Sequence, residues 1–221
     1  MRRLLITAGP THEPIDAVRY LANRSSGRMG VALAAAGVAA GWDVMLLLGP
    51  TAEPPTAGVR VERFVATADL ERLLASQFPA CDVLIMAAAV ADYRPATPLD
   101  GKLPRRGDRF VLELAPTPDL VAACAARRAP HQRIIGFALE EPARLATRAV
   151  SKLREKGLDA IVANPLATMG AADVVATVFT PDGAQHTPPG AGAASTKAEF
   201  ARWLIAWIEL HLGPGSREAP G

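Results

Sequence analysis

Hydrophobic residues are concentrated in five short runs that recur along the first three quarters of the chain. The runs are rich in Leu, Ile and Val and occupy residues 3–10, 43–50, 82–90, 133–140 and 159–165. Between them, apolar residues recur with helical spacing at 29–40, 68–77, 118–128 and 142–157. Continuous apolar strands that alternate with helices are typical of a parallel sheet covered on both faces. The pattern predicts a three-layer, Rossmann-like α/β fold with a mostly parallel central sheet.

The pattern changes in the C-terminal part of the chain. Residues 173–187 contain two strand-like runs around a Pro-Asp-Gly turn, and so short a connection predicts an antiparallel pair. Residues 195–212 have the spacing of an amphipathic helix, with Ser195 as the predicted N-cap. We therefore predict one domain over residues 1–212 with a small C-terminal antiparallel extension, followed by a disordered tail at 213–221.

Residues 89–109 form a long stretch without a helical or strand pattern. They contain three prolines, two glycines and mostly positive charge. A segment of this kind in a compact domain is usually a lid, a binding loop or disorder. We predict a flexible flap at about 92–109, whose cations Lys102, Arg105 and Arg106 could close over a charged ligand. A merely solvated loop is the alternative.

Composition and charge narrow the function classes. The 221 residues carry 24 Lys and Arg against 22 Asp and Glu, and a net charge of +2 argues against a general nucleic-acid binder. Cys81 and Cys124 are too few and too far apart for a disulfide framework or a metal cluster, which indicates a reducing compartment. No apolar run has the length of a secretory signal core or of a membrane span. The expectation is a cytoplasmic protein without a nucleic-acid or membrane partner.

Small residues end four of the five apolar runs. They are Ala8-Gly9, Gly49, Ala87-Ala88-Ala89 and Ala163-Asn164. In doubly wound sheets a ligand binds beyond the carboxyl ends of the strands, where the strand order reverses, and small side chains let it approach backbone N–H and C=O groups. Any one of these small stretches is better explained by a tight turn. Four together favour a ligand site at this edge of the sheet.

The stretch NRSSGRMG, residues 23–30, is a polar turn directly before the first predicted helix. Such a turn offers backbone N–H groups, two hydroxyls, the charge of Arg28 and the positive end of the helix dipole, a combination that suits a phosphate. A serine N-cap beside a solvated arginine explains the same residues. The spacing is neither that of a Walker loop nor G-x-G-x-x-G, which weakens the case for a nicotinamide dinucleotide.

A second basic feature is the stripe formed by Arg148, Lys152 and Lys156, which recur every fourth residue on one face of the fourth predicted helix. Such a stripe is usually solvated, unless the helix borders a nucleotide site, where it could hold a triphosphate. The histidines are scattered, and no convincing Ser-His-Asp, Cys-His or metal-ligand arrangement emerges. His12 follows the first strand and is predicted to be a bystander.

Several motifs together resemble the phosphopantothenate–cysteine ligases of coenzyme A biosynthesis. They are ITAGPTHEPIDAVRYLANRSSGRMG, AAAVADYRP, GKL, PDLV, GFALE and KLREKGLDAIVAN, in the family's order from Leu4 to about Asp173. The resemblance implies a synthetase domain of the bacterial, CTP-dependent type, which joins 4′-phosphopantothenate to L-cysteine. The substrate carboxylate first displaces pyrophosphate from CTP, and the cysteine amine then displaces CMP from the acyl-cytidylate. Also implied are Mg²⁺ held largely by the phosphates, a homodimer, and a flavin-dependent decarboxylase as a separate partner.

The resemblance also implies roles for individual residues. Asn23 would contact the substrate carboxylate during formation of the acyl intermediate, Arg19 would handle the substrate, and Lys102 on the flap would help to turn the intermediate over. These three are the predicted catalytic residues, and Asn23, Arg19 and Ala88 are the predicted substrate contacts. The predicted nucleotide contacts are Ser25, Ser26, Gly27, Met86, Ala87, Ala88, Asp92, Lys102, Pro118, Asp119, Leu120, Val121, Phe137, Lys152 and Lys156. No protein nucleophile and no protein-held metal are implied, because nucleotidyl transfer needs placement and charge neutralisation above all.

Two other functions fit parts of the same pattern. One is an NAD(P)-dependent reductase on a similar sheet, which is disfavoured because the glycine fingerprint is missing and the second strand ends in Leu48-Gly49-Pro50 without a ribose-binding acid. The other is a module that binds a nucleotide without turning it over. Nothing in the sequence excludes the second function, although the presence of both Asn23 and Lys102 favours turnover.

Overall fold

The computed structural model describes residues 1–105, 107, 109–168, 171, 173–190 and 195–213. Arg106 of the predicted flap and residues 214–221 of the predicted tail lie outside these ranges. The strands are β1 (Arg3–Ala8), β2 (His12–Pro14), β3 (Tyr20–Ala22), β4 (Asp43–Leu48), β5 (Arg60–Arg63), β6 (Val83–Met86), β7 (Tyr93–Pro95), β8 (Leu114–Pro116), β9 (Arg133–Glu140), β10 (Ala160–Pro165), β11 (Asp173–Val174), β12 (Thr177–Phe179), β13 (Gln185–His186) and β14 (Ser195–Thr196). The α-helices are α1 (Arg28–Ala39), α2 (Thr67–Gln77), α3 (Leu120–Ala126), α4 (Leu145–Glu155) and α5 (Lys197–His211).

Eight strands form the central sheet, in the order β13-β12-β10-β9-β6-β1-β4-β5. The six strands from β10 to β5 are parallel, whereas β12 and β13 add an antiparallel extension at one edge. The chain runs from β1 to β4 and β5 on one side and returns to β6 on the other, so the strand order reverses beside β1. This confirms the predicted mostly parallel sheet with a small antiparallel extension.

Helices cover both faces of the sheet, because neighbouring side chains of its buried strands point in opposite directions. Ile6 lies in a core with Leu33 of α1 and Leu204 of α5. Leu5, the preceding residue, lies in a second core with Leu74 of α2, and α3 and α4 contribute to the same core. The predicted three-layer arrangement is confirmed.

The start of α1 lies unusually close to the end of β1. Gly27, with φ of 75°, precedes the helix in the left-handed conformation that favours glycine. One turn later, a Cβ built on Gly30 would lie 2.3 Å from the Cβ of Ala8. Glycine at these two positions therefore brings the helix N-terminus down onto the carboxyl end of the central strand.

The start of α5 corrects one sequence prediction. The N-cap is Thr196 and not Ser195, because Thr196 Oγ1 accepts a hydrogen bond from the backbone N–H of Glu199 at 3.2 Å. The Glu199 carboxylate accepts the backbone N–H of Thr196 in return, at 2.9 Å, which completes a capping box. Ser195 lies in β14 instead, where it pairs with Val174.

Other boundaries differ from the sequence prediction. The third and fourth helices are shorter than predicted, because Asp119 caps α3 and a 3-10 turn at Pro142–Arg144 precedes α4. The predicted pair around the Pro-Asp-Gly turn is β12 with β13, while β11 pairs with β14. Two antiparallel pairs, β2 with β3 and β7 with β8, were not predicted, and β7 begins inside the predicted flap. Among the described residues, no helix is both long and apolar enough to cross a membrane.

Candidate functional site

Two adjoining cavities open beside the carboxyl halves of β6, β9 and β10. The larger encloses about 950 Å³ and the smaller about 230 Å³. They share a wall made of Arg24, Ala88, Ala89, Phe137, Ala138 and Leu139. This edge of a doubly wound sheet, next to the reversal of strand order, is where ligands are expected.

Most of the predicted site residues line one cavity or the other. The large cavity is lined by Asn23, Met86, Ala88, Asp92, Pro118, Asp119, Leu120, Val121, Phe137, Lys152 and Lys156. The small cavity is lined by Ser25, Ser26, Gly27 and Ala87, together with Ala88 and Phe137 from the shared wall. The two cavities thus bring together residues from five separate segments of the chain, at 23–27, 86–92, 118–121, 137 and 152–156.

The turn before α1 presents a helix N-terminus to the small cavity. Its N-cap is Gly27, and no side chain caps the helix. Ser25 Oγ accepts only a long bond of 3.4 Å from the Gly27 N–H. Arg28 is held at 2.6 Å by the Glu53 carboxylate, and Thr51 Oγ1 donates to the Ser26 carbonyl at 2.6 Å. The loop after β4 therefore fixes the turn, while the first amides of the helix have no side-chain cap.

The backbone N–H groups of the strand end after β6 are bonded within the protein. They were expected to be open to a ligand, but Ala87 and Ala88 donate to the backbone carbonyl and hydroxyl of Thr7, at 3.2 and 3.1 Å. The Ala89 N–H donates to the Gly9 carbonyl at 2.9 Å. These donors are used to extend the pairing of β1 with β6. What the alanines provide is a wall without large side chains between the two cavities.

Carboxylates hold the lysines of the large cavity. Lys152 Nζ lies 2.6 Å from Glu140 Oε1, and Lys156 Nζ lies 2.9 Å from Asp119 Oδ2. Burial opposes ionisation of Asp119, but the Lys156 ammonium and the Ala122 N–H outweigh it, so the pKa of this carboxyl lies below its ordinary value. Arg148, the third residue of the predicted stripe, lines neither cavity.

Asn23 joins β3 to the strand end after β6. Its Nδ2 donates to the Val90 carbonyl at 2.8 Å, and the residue lines the large cavity. Asp92, further along the same strand end, also lines the large cavity. Its carboxylate makes no hydrogen bond or ion pair within the part of the chain that the structure describes.

The two remaining predicted catalytic residues, Arg19 and Lys102, line neither cavity. Arg19 is bound to Asp16, with Nη1 2.5 Å from Oδ2. Lys102 is exposed on the flap, which lies against the segment 15–19. His12, predicted to be a bystander, stacks on Tyr20 with ring centroids 3.7 Å apart and lines neither cavity.

Three polar residues of the cavities were not among the predicted site residues. Arg24 lies on the shared wall, and Asn164 and Lys197 line the small cavity. Asn164 Oδ1 is buried without a hydrogen-bond partner among the described residues. Burial and the charge of Arg28 lower the pKa of Lys197. Asn164 carried a signal as a polar residue at a strand end, whereas Lys197 reaches the site only because α5 packs beside α1.

The donor set does not form a metal cage. Within the described residues, no group of three or more His, Cys, Asp and Glu side chains could hold a metal ion. Ammonium groups, hydroxyls and an uncapped helix N-terminus line the cavities instead. Such groups favour an anionic ligand with several oxygens, of the phosphate or carboxylate class.

Comparison with known proteins decides the family. Residues 1–211 match the family described as the DNA/pantothenate metabolism flavoprotein C-terminal domain. The chain belongs to this family. Among the relatives that resemble the chain is the Coenzyme A biosynthesis bifunctional protein CoaBC of Vibrio cholerae, which is 39% identical over 85% of this chain and 48% of its own length.

Two further proteins are similar to the chain. A Cysteine/Cysteine sulfinic acid decarboxylase from an unknown prokaryotic organism is 44% identical over 77% of this chain and 47% of its own length. A crystal structure of the C-terminal domain of a CoaBC protein superposes with a TM-score of 0.80 at 36% identity, covering 96% of this chain and 95% of that one. The chain spans about half the length of the curated relatives it matches.

Proposed function

We propose that the chain is a CTP-dependent phosphopantothenate–cysteine ligase, which forms its amide product through an acyl-cytidylate. The observation that carries the proposal is the pair of adjoining cavities in a chain of this family. Asn23 and two lysines line the large cavity, and the uncapped N-terminus of α1 lines the small one. Among the described cavity residues no serine, cysteine or histidine is paired with a base as a nucleophile would be. The arrangement suits two successive displacements on bound anions.

The first displacement needs a nucleophilic carboxylate held without loss of its charge. An amide nitrogen carries two hydrogens, so Asn23 Nδ2 keeps one donor after its bond to Val90. A neutral donor orients a carboxylate and leaves it more nucleophilic than a full ion pair would. Asn23 therefore presents the carboxylate of 4′-phosphopantothenate to the α-phosphate of CTP, and the bond to pyrophosphate breaks as the acyl-phosphate bond forms.

The lysines of the large cavity bind the polyphosphate. Lys152 and Lys156 are held by Glu140 and Asp119 in the protein alone, and a triphosphate competes with these carboxylates for the same ammonium groups. The N-terminus of α1 and the hydroxyls of Ser25 and Ser26 receive further phosphate oxygens. In the second displacement the cysteine amine attacks the acyl carbon, and CMP leaves.

Magnesium is the cofactor we propose, carried mainly by the nucleotide. The cavities offer lysines rather than a carboxylate cage, which fits an ion held largely by phosphates and water. Asp92 lines the large cavity, and we propose it as a contact for the nucleotide that carries the ion. Bound magnesium would neutralise phosphate charge.

We further propose a homodimer and a separate decarboxylase partner in the cytoplasm. The β2–β3 and β7–β8 pairs lie side by side and expose Tyr20, Tyr93 and Leu114, an apolar surface that a second copy would cover. The relatives that support a decarboxylase partner are the bifunctional CoaBC proteins and a Cysteine/Cysteine sulfinic acid decarboxylase. Light scattering during gel filtration tests the dimer, and Tyr93→Asp shifts the mass to that of a monomer.

The activity is tested by incubating the purified chain with CTP, Mg²⁺, 4′-phosphopantothenate and L-cysteine. We expect CMP, pyrophosphate and the amide in equal amounts, and pyrophosphate with acyl-cytidylate when cysteine is left out. Parallel reactions with ATP establish the nucleotide preference. Lys156→Gln raises the KM for CTP, whereas Arg148→Gln, on the same helix but outside both cavities, leaves it unchanged.

The other two functions give different results in the same experiments. A non-catalytic module binds CTP but releases no pyrophosphate. A reductase binds NADPH, which a change in nicotinamide fluorescence detects, and leaves CTP intact. Either result overturns the proposal.

A further inference from the structure

The flap is attached to the segment 15–19 by backbone and side-chain hydrogen bonds. Leu99 N–H donates to the Ile15 carbonyl and Ala17 N–H donates to the Gly101 carbonyl, both at 3.0 Å. Leu103 N–H donates to Asp16 Oδ2 at 3.0 Å, and Arg19 Nη1 donates to the Leu103 carbonyl at 3.4 Å. Residues on both sides of Lys102 are therefore held by the segment that carries Arg19.

The two oxygens of Asp16 have separate functions in this arrangement. Oδ1 accepts the backbone N–H groups of Val18 at 2.8 Å and Arg19 at 2.7 Å, which closes a turn within the segment itself. Oδ2 accepts Arg19 Nη1 at 2.5 Å and the N–H of Leu103. One oxygen thus shapes the local turn, and the other joins the arginine to the flap.

The Asp16 carboxylate is committed to these contacts. Its side chain is 0% exposed, although the Arg19 side chain that it binds is 45% exposed. Burial opposes ionisation, but three backbone N–H groups and the Arg19 guanidinium favour the charged form more strongly, so the pKa of Asp16 lies below its ordinary value. The carboxylate is ionised at neutral pH and binds both partners through charged hydrogen bonds, which are stronger than neutral ones.

We infer that Asp16 is a positioning residue for the ligation, whose Oδ2 holds the Arg19 guanidinium and the Lys102–Leu103 peptide as one unit. The inference rests on the proposed function, in which Arg19 and Lys102 both act on substrate. Because the Leu103 N–H belongs to the peptide bond that follows Lys102, fixing it restricts where the lysine can be delivered. Asp16 touches neither cavity and acts only through these two residues.

Asp16→Asn tests the function of Oδ2 alone. The asparagine Oδ1 still accepts the Val18 and Arg19 N–H groups, so the local turn is kept, but Nδ2 now faces two donors in place of Oδ2. We expect pyrophosphate release without cysteine to persist, while amide formation slows by roughly 10²-fold, the effect of a misplaced catalytic group. Asp182→Asn is the matched control, because Asp182 also caps a turn, at 3.2 Å from the Ala184 N–H, and lines neither cavity.

Leu103→Pro removes the donor of the hydrogen bond between the Leu103 N–H and Asp16 Oδ2, since proline has no N–H. Leu103→Ala keeps this bond and is the control. We expect Leu103→Pro to slow amide formation as Asp16→Asn does, and trypsin to cleave both variants faster than wild type after Arg105. In a double-mutant cycle, Asp16→Asn should cost less when it is added to Lys102→Gln than when it is made in the wild type, because part of its effect passes through the flap. Additive losses, or wild-type cleavage together with wild-type turnover, overturn the inference.

The proteolysis result separates this inference from the proposed function. If the wild-type chain makes no amide at all, the proposed function fails, yet faster cleavage of Asp16→Asn still demonstrates that the carboxylate holds the flap. If the wild type is active and neither variant changes cleavage or the second displacement, the positioning function fails while the ligase remains. Equal loss of both displacements with a lowered melting temperature shows a merely structural residue and also overturns the inference.

Discussion

The contact between α1 and β1 makes Gly30→Ala a strong test of how the site is positioned. The added Cβ would lie 2.3 Å from Ala8 Cβ and 3.1 Å from Ala8 Cα, atoms that no side-chain rotation can move away. The first distance is about 1.2 Å short of the roughly 3.5 Å at which carbon atoms attract each other. Overpacking of this kind lowers the free energy of unfolding by about 3 kcal/mol at the upper end of its range, and the higher helix propensity of alanine raises it by about 1 kcal/mol. The net loss is about 2 kcal/mol, or a fall in melting temperature of about 4–8 °C for a chain of this size.

Thermal unfolding followed by circular dichroism measures this loss. Gly37→Ala is the matched control in the same helix, because its Cβ would meet a terminal methyl group of Leu4 at 2.7 Å, which can move. The control is expected to lose less stability. Gly30→Ala should also weaken CTP binding, because the N-terminus of α1 moves away from the small cavity. Melting temperatures that are equal for Gly30→Ala and wild type, or lower for Gly37→Ala, would refute the reasoning from close packing.

Four further predictions concern single residues. Asn23→Asp places a charge against the substrate carboxylate and abolishes formation of the acyl-cytidylate, which pyrophosphate release without cysteine measures. Lys102→Gln leaves that release intact and lets the acyl-cytidylate accumulate, as detected by mass spectrometry. Burial raises the pKa of Cys81 to about 12, so a thiol reagent at pH 8 modifies it only after unfolding; labelling of the native chain contradicts this. Asp119→Asn destabilises the fold at pH 7. The pKa of the Asp119 carboxyl is lowered in the folded state, so its full stabilising contribution is present above pH 3.8, the ordinary pKa, and is lost as the pH falls through the lowered pKa. Urea unfolding should therefore show the difference from wild type shrinking in acid, and a constant difference would refute it.

The central sheet was predictable because its strands are apolar runs, and because apolar residues recur every three or four positions in the helices between them. The short antiparallel strand pairs were not predictable. Tyr93–Pro95 and Leu114–Pro116 each have three residues, contain proline and show no alternation, so their pairing depends on contacts between distant parts of the chain. The N-cap of α5 has a signal in the sequence, because Thr196 and Glu199 have the spacing of a capping box, whereas Ser195 has no such partner three residues later.

Within the candidate site, residues that belong to contiguous motifs were predictable and those that arrive by packing were not. The stretch around Asn23 and the alanines after β6 line the cavities. Lys197 stands on a helix with an ordinary amphipathic pattern, and only the packing of that helix beside α1 brings it to the small cavity. Asn164 Oδ1 is buried and has no hydrogen-bond partner in the described part of the chain, and no spacing rule reports such burial.

The sheet is open, and this has a consequence for the behaviour of the protein at high concentration. The outermost strand β5 pairs only with β4 in the part of the chain that the structure describes, and it reads Arg-Val-Glu-Arg. Charged side chains on an edge strand discourage another chain from continuing the sheet. Replacing Arg60 and Glu62 with valine would leave an apolar template, and such a protein should form insoluble aggregates during expression even if its cavities were intact.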